Sequence, residues 1–144
     1  MSASQRIPAS PATLARRLLS LVYEGVMLGA LLTLAAFPFV VLTRDAENSL
    51  TRAWFQVYLV VISGAYFICQ WHRGGRTLPM KTWRLRLVRR DGGALSLRRA
   101  ALRYCLALAG TLMFGAGFAW ALVDPDQQFL HDRVSGTRIV YDDR

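Results

Sequence analysis

Apolar residues gather along this chain into three long runs, separated by polar connections rich in arginine. The first run extends from Leu18 to Leu42, interrupted by Ser20, Tyr23, Glu24, Thr33 and Pro38. The second covers about Ala53 to Trp71 and the third about Ala100 to Val123. Each approaches or exceeds the roughly 20 mostly apolar residues that a helix needs to cross the hydrocarbon core of a bilayer. The pattern predicts an all-α membrane protein, a small bundle of about three transmembrane helices. Thr13 is placed to cap the first helix and Pro38 to kink its far end. Trp54 and Trp71 stand near the ends of the second run, where interfacial anchors belong. Gly115, Ala116 and Gly117 interrupt the third run and offer an alternative to a full span, two short half-helices that form a re-entrant hairpin.

The polar segment His72 to Arg99 is the only long connection between runs. Within it Trp83, Leu85 and Leu87 alternate with Arg84, Arg86 and Val88, the period of a strand, and Asp91, Gly92 and Gly93 make a turn signal. The expected element is a short basic β-hairpin between the second and third helices, with Ala94 to Leu97 as its returning strand and Ser96 near the cap of the third helix. Residues 1–13, with Pro8 and Pro11, read as a disordered leader. Residues 14–140 form the membrane domain and 141–144 a short tail.

Composition agrees with the bilayer. The chain of 144 residues is 53% hydrophobic and carries a net charge of +9, from 18 basic residues of which only Lys81 is a lysine. These residues flank the apolar runs and leave no soluble nucleic-acid-binding module, so the expected partners are the lipid bilayer and its anionic headgroups, contacted through Arg84, Arg86, Arg89 and Arg90. A homo-oligomer or a membrane partner protein remains open. With three spans, thirteen basic residues share the side of the N-terminus and the long connection, against five opposite. The positive-inside rule then places the N-terminus and the basic connection in the cytoplasm, in a multi-pass protein of the inner membrane, with the tail outside. The first run is too long for a cleaved signal and reads as a retained anchor. Cys69 and Cys105 match neither a zinc nor a redox motif and are expected as small buried hydrophobes.

Glu24 is the most unusual residue, an ionisable group two helical turns inside an apolar run, where an acid costs roughly 2.5–3.5 kcal/mol if central. Arg17 precedes it by seven residues and projects from nearly the same face, about 10 Å away along the axis. Two readings stay open: a protonatable or cation-binding site with Arg17 at its mouth, or a structural pin held by an arginine of the basic connection. A titration near neutrality separates the first from the second. Gly25 with Gly29, and the stripe Ala107, Thr111, Gly115 and Ala119, allow close helix approach. His131 and Asp132 adjoin before the alternating stretch Thr137 to Tyr141. No nucleophile is placed with a base and no ligand cluster is evident, so an enzyme, a metal and a cofactor are not expected.

The motifs together resemble the RDD family of bacterial membrane proteins, named for one arginine and two aspartates. The resemblance rests on Ala15-Arg16-Arg17-Leu18 with Tyr23-Glu24, on Gly74-Gly75-Arg76-Thr77-Leu78-Pro79-Met80-Lys81 running on to Asp91-Gly92, and on Leu130-His131-Asp132-Arg133 through Val140. It implies that the family's arginine falls on Arg17, its first aspartate on Glu24 and its second on Asp132, as a functional polar set. Arg16, His131 and Thr137 are secondary candidates within the same motifs. Glu24 departs from the family's aspartate by one methylene, and Arg76 and Pro79 stand where Gln and Gly are common. A transport role, including cation/proton exchange, has been suggested for some members; three helices are few for a complete transporter, so that role implies oligomers or a partner. The competing expectation is a non-transporting scaffold or assembly factor.

Overall fold

A computed structural model describes residues 11–44 and 48–142. The expected leader lies mostly outside them, as do the last two tail residues. Helix α1, Leu14–Thr43, follows Thr13 as its cap residue, although the threonine side chain makes no capping hydrogen bond, and carries Pro38 within it. Helix α2, Ser49–Gly74, is capped by Asn48, whose side chain accepts from the Leu50 amide at 3.0 Å. Both are long and apolar enough to cross a membrane. The outer surface of α1 is apolar: Val22, Val26, Leu34, Phe37 and Leu42 are exposed, Leu34 at 75%. So many large apolar side chains facing outward on one helix fit lipid, which needs no polar cover. Cys69 and Cys105 are also exposed, contrary to the burial expected of them.

The segment after α2 corrects the hairpin. Gly75 ends α2 with φ 66°, and a Cβ there would lie 2.7 Å from the carbonyl oxygen of Leu87. Only glycine meets both demands. A short helix α3, Leu78–Thr82, follows, then strand β1, Leu85–Arg89. The turn at Asp91 to Gly93 forms, with the Arg89 amide donating to the Gly93 carbonyl at 3.0 Å. Residues 94–97 do not return as a strand. The partner of β1 is strand β2, Thr137–Tyr141, antiparallel in the register Leu85↔Tyr141 and Leu87↔Ile139. Ser96 is committed instead to capping helix α4, Leu97–Leu112, where it accepts from the Arg99 amide, and Leu95 is buried in the core. The β-branched alternation of 137–141 wins the edge of β1.

The third apolar run is not a straight helix. After α4 the chain takes left-handed conformations at Phe114 (φ 58°) and Gly115 (φ 76°). It then re-enters as helix α5, Ala116–Ala119, with a 3-10 turn at Trp120–Leu122, bent 103° from α4. The two arms touch at glycines, since a Cβ on Gly110 would sit 3.1 Å from the Gly117 Cα. By contrast, a Cβ on Gly25 or Gly29 would meet nothing within 4 Å, so that pair is not used for packing inside the chain. The tail therefore does not emerge opposite the N-terminus. Helix α6, Leu130–Ser135, lies against α4, and β2 meets the start of α1, where the Ala12 amide donates to the Ile139 carbonyl at 3.5 Å and Pro11 bridges Val140. The expectation of a tail on the far side is overturned by this pairing. The buried core gathers at this end, around Leu85, Leu87, Leu95, Ala100 and Trp71.

Candidate functional site

The first half of α1, the middle and end of α2, the stretch of α4 from Arg103 to Thr111, α5 and the start of α6 line a cavity of about 440 Å³, with Met80, Leu85 and Ile139 added from α3 and the two strands. Its polar wall is built from elements far apart in sequence. Arg17 and Glu24 lie on one face of α1, as their seven-residue spacing predicts, and both line the cavity. Ser63 and Tyr104 reach it from α2 and α4 and share a 2.6 Å hydrogen bond. Arg103 enters one turn and a half along α4. Phe67, Leu108 and Phe118 supply apolar surface.

Glu24 is buried and holds no ion pair within 4 Å among the described residues. Its Oε2 accepts from the Thr77 hydroxyl at 2.5 Å and its Oε1 from the Tyr66 hydroxyl at 3.0 Å. The arginine pin is thereby replaced by two neutral donors. Thr77 is fully buried because it caps α3 immediately after the glycine turn, which points the hydroxyl back at α1. Sequence reasoning missed Thr77 and Tyr66; Thr77 lay inside the quoted Gly74-to-Lys81 motif, whereas nothing marked Tyr66.

Asp132 has the opposite environment. It is 0% exposed, and its Oδ1 accepts from Arg103 through Nε at 2.8 Å and Nη2 at 2.7 Å. The Arg103 guanidinium lies 4.2 Å over the Trp71 ring, which is why Trp71 is 5% exposed in the core and no interfacial anchor. Trp54, at the other end of α2, is exposed as an anchor should be. Arg103 had counted only among the basic residues bordering the third run. Its partner is recognisable only once α6 folds back.

His131 stacks on Phe129 at 5.4 Å and meets Phe118 edge-on at 5.1 Å. Burial, then the nearby Arg103 charge, lower its pKa to about 4 against a smaller opposing pull from Asp132, so the ring is neutral at pH 7. Thr137 is fully buried and shares a 2.9 Å hydrogen bond with Ser135, tying β2 to α6. Arg16 lies 4.9 Å over the Tyr141 ring at the rim, away from the cavity. Arg84, Arg86 and Arg90 are exposed on the basic connection, while Arg89 pairs with Asp91 at 2.5 Å. A second ion pair, Arg76 with Asp142 at 2.8 Å, ties that connection to the tail. Among the described residues no group of three or more His, Cys, Asp or Glu side chains is placed to hold a metal ion.

A family model matches residues 11–136, most of the chain, with the first two motifs in full and the third as far as Gly136. The chain belongs to the RDD family. No curated protein and no solved structure matches it. In this RDD protein the three residues that the resemblance aligns with the family's name, Arg17, Glu24 and Asp132, are all buried at one end of the helices. They do not form one cluster of contacts. Asp132 is bound to Arg103, Glu24 to hydroxyls, and the Arg17 side chain makes no hydrogen bond or ion pair among the described residues.

Proposed function

We propose that this protein is a proton- or cation-coupled transport component of the inner membrane, acting as an oligomer or with a partner, in which Glu24 is the coupling acid. One observation carries the reading: a carboxyl group inside an apolar helix faces a cavity and is held by neutral hydroxyls. A carboxylate locked to an arginine keeps its charge through a cycle, whereas one held by Thr77 and Tyr66 can give up or take a proton and keep hydrogen bonds in both states. Ser20 and Ser63 line the same cavity. The N-terminus, basic connection and tail face the cytoplasm in this reading, because Arg44 and Arg52, at the end of α1 and in the first turn of α2, are the only basic residues between Arg17 and Arg73 and mark the opposite end. Purified protein in vesicles, with a cation gradient imposed and internal pH followed by a dye, tests it. Flux coupled to pH is expected for the native chain and for Asp91→Asn, and none for Glu24→Gln. Equal flux in Glu24→Gln rejects the coupling role.

The exposed arginines favour a second reading, a scaffold that docks anionic lipid or a partner through Arg84, Arg86 and Arg90. It predicts that glutamine at these positions abolishes docking and that no flux occurs at all.

A further inference from the structure

The two arginines of the cavity have unequal partners. Arg103 is closed by Asp132 on one side and by the Trp71 ring on the other. Arg17 is 5% exposed, its Nε has no hydrogen-bond partner, and its guanidinium rests 5.4 Å from the centre of the Phe129 ring. Asp132 and Asp124 act on it only from beyond contact. Asp132 is engaged by Arg103, and Asp124 by Arg133 and the Gln128 amide. A buried guanidinium with unspent donors is costly to keep, so the donors that line a cavity point to a ligand that completes them.

The cavity is also graded along its length. Arg17 and Arg103 lie at the end near α6 and the sheet, while α1 and α4 both run inward from there, to Leu28 and to Leu108 and Thr111. From Arg17 to Leu28 is eleven residues of helix, about 16 Å. The volume falls in the ordinary range for a small-molecule site. We propose that this cavity binds a single anionic amphiphile, its carboxylate or phosphate headgroup taken by Arg17 and its alkyl chain lying along α1 and α4. The planar guanidinium fork matches the two oxygens of such a headgroup, and Phe67, Leu108 and Phe118 match the tail. This inference rests on Arg17 and stands whether or not Glu24 moves protons.

The full chain in phosphatidylcholine nanodiscs, labelled with an alkyl phosphate carrying a diazirine on its chain, provides the test. Saturable labelling of cavity residues such as Leu108 and Phe118 is expected, with dodecyl phosphate and dodecanoate competing and inorganic phosphate competing at least about tenfold more weakly. Arg17→Gln should weaken labelling by about tenfold, the loss of one charge-assisted hydrogen bond, while Asp91→Asn, on the basic connection and away from the cavity wall, leaves it within about twofold. Ala107→Phe, which fills the inner cavity without touching a charge, should block labelling and decides the matter if Arg17→Gln does not fold. Three results would overturn the proposal: labelling confined to outward residues such as Leu34 and Phe37, inorganic phosphate competing as well as dodecyl phosphate, or labelling unchanged in both folded Arg17→Gln and Ala107→Phe.

Discussion

Two buried acids, Asp132 and Glu24, sit at the same end of the molecule and are treated in opposite ways. Asp132 is locked to Arg103 by two short contacts from one guanidinium, with Trp71 over the cation and no place on the cavity wall. Glu24 faces the cavity and is held by the hydroxyls of Thr77 and Tyr66. A charge matched by a charge fixes architecture, because neither partner can change state without exposing the other. A charge matched by hydroxyls is free to change state. In this chain Asp132 fastens α6 to α4, and Glu24 is the acid on which the proposed coupling rests.

Removing the closed pair gives the largest expected effect. Asp132→Asn leaves Arg103 buried beside a neutral amide and should cost about 3–5 kcal/mol, read as a large fall in the midpoint of detergent unfolding. Next comes the pH response of His131, which adjoins this pair. Its folded pKa of about 4 lies below the ordinary 6.5, so the native state resists protonation that the unfolded state accepts. Stability is therefore unaffected above pH 6.5, falls as pH drops below it, and levels off near 4. The loss is on the order of 3 kcal/mol, and His131→Phe should remove this slope. Thr77→Val deletes one donor to Glu24 and should cost about 1–2 kcal/mol. The smallest change belongs to Glu24→Gln, which keeps an acceptor for the hydroxyls and should cost less than about 1 kcal/mol of stability. A ranking with Glu24→Gln above Asp132→Asn would reverse the division of roles.

Much of the frame was legible because lipid imposes a simple rule on sequence. Two long apolar runs with polar ends could hardly be anything but α1 and α2, and the Arg17 to Glu24 spacing gave their common face directly. Glycine at 115 and 117 marked the break in the third run, yet whether the chain crosses or returns there depends on contacts made later, Gly110 against Gly117 and β2 against β1. The hairpin expectation failed for the same reason. Strand periodicity identifies a strand without naming its partner, and the Asp91-Gly92-Gly93 turn leads into a helix cap. The site followed a similar course. Charged members stood out against apolar surroundings, while Thr77, Tyr66 and the Arg103–Asp132 match emerge only when α6 folds back on α4.

The division of roles between the acids is tested most directly by a hydrophobic carbodiimide, which modifies membrane-embedded carboxyl groups only in their protonated form. Membranes containing the protein are treated near neutral pH and the adduct is mapped by mass spectrometry of peptides. Modification should fall on Glu24, decline as pH rises, and leave Asp132 unlabelled. Labelling of Asp132 with Glu24 untouched would contradict the claim that Glu24 is the open acid and Asp132 the closed one.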